Sequence, residues 1–244
     1  MRHPLFLPSE TPPAEARALP ELPLLVLVGL TGVGKSSLLE ALAYPTLPDR
    51  REVVDRYVLP LFGAEGKTLD RAERFALTRR FRETHPGGVA EALSRARTLP
   101  TWPLLFDGLR GEAEVAYALE HLPLAHFVVL EARDLTRLAR LLGRGDRFDR
   151  VRLDSTDESE IRAVAQGVFS EEELEQAMSW GFPAQELLAK LKIVAEERKN
   201  YSPEGPRRLL GGHPRALFLD TETLSVAEEA HQIGELVRRI HAQH

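Results

Sequence analysis

The sequence predicts an α/β fold: a five-stranded, mostly parallel sheet flanked by helices, with one large helical insertion. Three observations carry that expectation. From Leu22 onward short apolar runs alternate with amphipathic stretches, most of those runs are continuously apolar, and the alternation stops between Arg152 and Gly212. Crossover helices between parallel strands produce the first pattern, and strands covered on both faces produce the second.

The elements follow in order. Residues 1–21 hold Pro4, Pro8, Pro12, Pro13 and Pro20, which withhold backbone donors and favour an extended arm or strap. Strands are expected at Leu22–Val28, Glu52–Val54 (the weakest), Pro103–Phe106, Phe127–Leu130 and Ala216–Leu219. Helical patterns lie between them at Ser36–Ala43, Leu69–Arg82, Gly88–Arg97, Glu112–Leu119 and Asp134–Leu142. A last helix, Val226–Ile240, follows Ser225, whose hydroxyl suits an N-cap. Within the insertion Ser170 and Glu173 have capping-box spacing, and Pro183 suits the first turn of a helix running towards Lys199. Pro203, Pro206 and Gly211-Gly212 mark a loop. The domain that follows the arm, 22–244, contains a helical region at 45–100 and the segment with the insertion at 143–212.

Composition narrows the function classes. The 244 residues carry a formal net charge of −5, which argues against a nucleic-acid partner on average. There is no cysteine, which excludes a disulfide framework, a thiolate metal site and a thiol nucleophile. The longest apolar run, Leu22–Leu30, contains Pro23 and falls short of the roughly 20 residues a membrane helix needs. No membrane partner and a cytoplasmic location are therefore expected. The histidines are too scattered for ligand spacing, and Trp102 and Trp180 read as packing residues.

Gly29-Leu30-Thr31-Gly32-Val33-Gly34-Lys35-Ser36 fits the phosphate-loop pattern G-x-x-x-x-G-K-[ST] at every fixed position, after an apolar strand and before a helix. Its glycines let backbone amides converge on phosphate oxygens, and the following helix aims its positive end at the same anion. The motif places the chain in the P-loop NTPase fold. Residues Leu30 to Ser37 are the expected nucleotide site, with Lys35 on the β and γ phosphates and the Ser36 hydroxyl on Mg2+. Asp107, after the strand at Pro103–Phe106, is expected at the metal as well, or it caps the turn Asp107-Gly108. Arg137, Arg140, Arg144 and Arg147 form either a lid that closes on phosphates or a solvated basic helix.

With these pieces in order the chain resembles the P-loop nucleotide kinases, and within them dephospho-coenzyme A kinase. Gly29-Leu30-Thr31-Gly32 is similar to that family's loop, and Val53-Val54-Asp55 falls where the family carries a general-base Asp after its second strand. Phe62-Gly63, Leu69-Asp70-Arg71 through Phe81 and His85-Pro86 resemble its substrate region, and Pro103–Phe106 its third strand, though it usually has Glu where this chain has Asp107. Asp107-Gly108-Leu109-Arg110 also resembles archaeal relatives of adenylate kinase, and Arg137 to Arg144 the lid helix of nucleoside monophosphate kinases. Ala216 to Thr221, with Asp220, resembles their closing strand and base-binding loop. The resemblance implies ATP and Mg2+ as cofactors, with Lys35, Asp55, Asp107 and Arg144 catalytic and Arg140, Arg144, Arg147 and Asp220 on the nucleotide.

The function expected is transfer of the γ-phosphoryl group of ATP to a metabolite or nucleotide. Arg71, Arg79 and Arg80 would bind an anionic acceptor. The alternative is a regulatory or partner-coupled NTPase hydrolysing ATP or GTP, with 152–212 as the surface for a protein partner or a homo-oligomer contact. A polynucleotide end kinase is a third class, which the acidic balance disfavours.

Overall fold

The computed structural model describes residues 2–143, 158–202 and 204–242. Arg144, Arg147 and Pro203 lie outside the described residues.

Apolar periodicity explains the core. The central strand β2 (Leu24–Val28; β1 is Arg17–Ala18 in the arm) is five consecutive buried aliphatics. It pairs in parallel with β4 (Leu105–Leu109) on one side and β5 (Ala125–Glu131) on the other, and β5 pairs in parallel with β6 (Ala216–Asp220). The order is therefore β4-β2-β5-β6, while β3 (Arg97–Thr98) pairs antiparallel with β1. Side chains alternate between two cores, as the two-residue strand period requires. Leu24, Val26 and Val28 join Phe127 and Val129 on one face, and Leu25 and Leu27 join Val128 and Leu130 on the other. Each such side chain contributes about 1.5–3 kcal/mol when fully buried.

The first face is covered by α2 (Arg50–Val53), α3 (Arg71–Thr84), α4 (Val89–Ser94) and α5 (Glu112–His121), and by the arm through Leu5, Leu7 and Leu19. The second is covered by α1 (Lys35–Leu42) and α11 (Val226–His241). Ser225 caps α11, its hydroxyl accepting from the Glu228 amide and the Glu228 carboxylate accepting in return.

The weakest expected strand is corrected. Glu52–Val54 is helical: the Asp49 carboxylate accepts from the Glu52 amide at 2.9 Å, and α2 runs on into a wider turn over Val54–Val58. Val54 and Val58, four apart, bury one helical face rather than alternating across a sheet. The position beside β4 goes to Thr46, which bridges Leu105 on one side and Arg2 on the other. Among the described residues the sheet thus has four strands, extended at that edge by two isolated bridges. Pro206 is also corrected from loop to helix, since it opens α10 (Gly205–Leu210), where its missing N–H would be unpaired in any case.

The insertion builds a third core. The apolar face of α6 (Asp134–Leu142), with Leu135, Leu138, Leu141 and Leu142, packs against α7 (Glu158–Ala165), α8 (Glu171–Ser179) and α9 (Ala184–Asn200) through Ile161, Leu174, Leu188 and Val194. Ser170 and Glu173 close their capping box at the start of α8. Among the described residues no helix is long and apolar enough to cross a membrane.

Candidate functional site: the phosphate loop and an inserted carboxylate

The loop 29–34 leaves the carboxyl end of β2 and turns directly into α1. Gly32 has φ of +88°, and a Cβ there would stand 2.8 Å from the Arg137 carbonyl oxygen, so only glycine lets α6 lie against the loop. Leu30 and Val33 are buried and anchor the loop, whereas Ser36 and Ser37 are exposed on the first turn of α1. Lys35 Nζ donates to the carbonyls of Gly29 (2.7 Å) and Leu30 (2.9 Å), which holds the ammonium inside the loop. Burial pulls its pKa down to about 8; Asp107 opposes that shift, and Arg110 adds to it.

Asp107 lies within β4 rather than at its end. It stands opposite Leu27, and the pairing slips by one residue at Gly108, so that Val28 faces Leu109. A Cβ on Gly108 would lie 2.5 Å from the Arg50 Cβ, which explains the residue at this bulge. One carboxylate oxygen of Asp107, Oδ1, is buried without a hydrogen-bond partner. An unsatisfied carboxylate oxygen is costly unless something cationic comes to it, and the Ser36 hydroxyl, at the start of α1, is the second oxygen donor that the loop offers. These two residues fit Mg2+, a hard cation that takes one or two protein oxygens together with phosphate oxygens and waters.

The residue that sequence reading missed is Glu197. It sits on α9 and is wholly buried, and its carboxylate accepts from the Thr31 amide at 3.0 Å, the Thr31 hydroxyl, Arg110 Nη1 at 2.7 Å and Arg137 Nη2. Burial alone would raise its pKa, but Arg110 and Arg137 outweigh that and hold it below the ordinary glutamate value. A signal existed: Glu197 follows Ile193 by four residues and precedes Tyr201 by four, so an apolar stripe carries one charge. Arg137 is buried too, and pairs also with Asp134 at 2.5 Å.

Arg140 spends Nη1 on the Val33 carbonyl (3.1 Å) and the Thr221 hydroxyl (2.8 Å), tying the loop to the turn after β6. Asp220 is exposed, and its Oδ1 accepts from the Glu222 amide in that turn. Asp55, in the helical turn after α2, is paired with Arg74. Arg79 pairs with Glu196 at 3.2 Å, and Arg80 stacks over Phe62. Arg82 donates to Asn200 and lies over the Tyr201 ring, and Nε of Arg74, Arg82 and Arg110 is buried without a hydrogen-bond partner.

Two cavities flank this centre. One of about 440 Å³ lies at the carboxyl ends of β2, β5 and β6, lined by Gly29, Leu30, Arg110, Asp134, Arg137 and Asp220. That is the position at which parallel α/β sheets bind ligands. The other, about 760 Å³, separates α3 from the insertion. Its cations Arg79, Lys192 and Arg198 are paired with Glu196, Glu160 and Asp134, and Lys199 stands 3.8 Å from Glu196, so they have less to offer an anion.

No protein-family model and no curated protein sequence matches the chain. Among solved structures it is similar to a gluconokinase from Sinorhizobium meliloti 1021, at 16% identity over 93% of this chain and 99% of that one, TM-score 0.42. It is also similar to a shikimate kinase from Bacteroides thetaiotaomicron (13%, 88% and 98%, TM-score 0.43). A third is a deoxyadenosine kinase from M. mycoides with bound dCTP (15%, 88% and 99%, TM-score 0.38). These neighbours are P-loop kinases, yet at TM-scores below 0.5 the likeness bears no weight, and the chemistry rests on the residues of the loop and its surroundings.

Proposed function

We propose that the chain binds Mg-ATP through residues 29–37 and transfers the γ-phosphoryl group to a small anionic acceptor. The observation that carries this reading is the juxtaposition of a complete phosphate loop with the unpartnered Asp107 oxygen. In such chemistry the charge of a loose transition state spreads over the equatorial oxygens, so catalysis is positioning and electrostatics. Lys35 holds the β and γ phosphates, and Arg110 and Arg137 supply guanidinium donors towards the same place. Ser36 and Asp107 would hold magnesium, which would supply positive charge against the developing phosphate charge. Arg82 and Arg110, each with an unspent donor, favour an acceptor that carries negative charge. Arg140 positions the loop, and Arg144 and Arg147 are the lid candidates. For an acceptor hydroxyl Asp55 is the base candidate, and it has first to part from Arg74.

One observation favours the partner-coupled NTPase as a second reading: Glu197 joins the insertion to the phosphate loop, so a protein bound to 152–212 could sense the nucleotide. A single experiment separates the two. ADP release is followed with magnesium across nucleosides, nucleotides and coenzyme precursors, for the wild-type chain, Lys35→Ala and Asp107→Asn. A kinase releases ADP fast only with its acceptor, and each variant loses about 10²-fold or more of that rate. Release that ignores every acceptor refutes the kinase, and full activity in Lys35→Ala refutes the site.

A further inference from the structure

The phosphate loop is contacted by an anion that the chain itself provides. A carboxylate and a phosphate oxygen ask for the same donors, and the Thr31 amide, Arg110 and Arg137 are the set that a phosphate would use. The Thr31 main chain has a single N–H, and Glu197 engages it at 3.0 Å.

Resting on the ATP reading above, we propose that Glu197 is an autoinhibitory plug, which the phosphates of an incoming nucleotide displace together with the end of α9. A wholly buried side chain cannot leave alone, so the helix end moves with it. That end also carries Asn200, bonded to Arg82, and Tyr201, which is packed against Gly111 and accepts from Arg50 at 3.1 Å. One displacement therefore frees Arg110 and Arg137 for the nucleotide and Arg82 for the acceptor. Entry of the first substrate opens the site of the second, which limits futile ATP hydrolysis. The low pKa of Glu197 keeps the plug charged throughout the neutral range, so displacement is driven by competing anion rather than by protonation.

The test uses the full chain with magnesium and a non-hydrolysable ATP analogue. In calorimetric titration Glu197→Gln, which keeps the shape but removes the charge, should bind about tenfold to a hundredfold more tightly than wild type, the factor for released charge-assisted hydrogen bonds. In the wild-type chain, amide hydrogen exchange over 193–202 should speed up when the analogue binds, a readout that stands even if the variant does not fold. Equal or weaker binding by a folded Glu197→Gln overturns the plug and makes Glu197 a positioning residue for the two arginines. Unchanged or slowed exchange overturns it as well, because the helix then stays in place. Binding by neither chain removes the ATP reading and the plug with it, an outcome distinct from the others because there the wild type binds.

Discussion

Glu114 and Glu197 are both buried and paired with arginine, and they differ in what holds them. Glu114, on α5, accepts from both Nη atoms of Arg50 at 2.7 Å and from the Arg110 amide at 3.2 Å. Those partners belong to segments fastened to the β4 edge, and Arg50 also donates to the Gly108 carbonyl at 2.9 Å. Glu197 comes instead from the inserted helices, and its donors include a loop amide that phosphate chemistry has a use for. Both pKa values lie below the ordinary glutamate value, in each case because arginines outweigh the burial that would raise it. Equal electrostatics therefore conceal different roles: Glu114 cements the sheet edge, and Glu197 occupies a place another anion can take. Burial of an ion pair alone does not distinguish structure from regulation, whereas the provenance of the donors does.

The largest expected effect tests the structural side. Glu114→Gln leaves Arg50 buried without its carboxylate and should cost about 3–5 kcal/mol in urea unfolding, with no gain in nucleotide affinity. A depressed carboxyl pKa contributes stability above the unfolded value of about 4.3 and loses it as pH falls through the folded value. The acid limb of the variant should accordingly be shallower than that of wild type. Tighter ATP binding in Glu114→Gln would erase the contrast between the two glutamates.

A smaller effect distinguishes the cations. Glu114 faces Arg50, which stays charged, while the loop beside Glu197 holds Lys35 with its pKa near 8. Phosphates bind the charged ammonium and raise its pKa, so affinity for the ATP analogue should fall as pH rises past that value, by about tenfold over the next unit. Lys35→Arg should flatten the profile, and a flat wild-type titration would remove Lys35 from the site. The smallest effect concerns the bridge between the two regions, Tyr201, whose hydroxyl accepts from Arg50. Tyr201→Phe should cost about 1 kcal/mol of stability by the same urea measurement. It should also speed exchange at the end of α9, because one tie to the Glu114 side is gone.

Much of this was legible because the signals are local. The five apolar residues of β2, the phosphate-loop spacing, the capping box at Ser170 and the N-cap at Ser225 each depend on residues a few positions apart. Glu52–Val54 misled because three residues cannot distinguish alternation from a helical face, and Asp49 settled it by capping. Arg79, expected at the acceptor cleft, lines the cavity between α3 and the insertion while paired with Glu196, Arg80 stacks over Phe62, and Arg82 turns to Asn200 and Tyr201, since neighbouring helix positions point in different directions and only the packing of α3 decides where each one goes.

By itself the sequence determined the α/β class and the phosphate-loop spacing between an apolar strand and a helix. Only the tertiary structure decided that Glu197, 166 residues from Thr31, meets the loop amide, because a contact between distant segments leaves no spacing to read. It also decided which arginines keep donors unspent. Charge is written in the chain, but its use depends on what the folded neighbours leave unpaired.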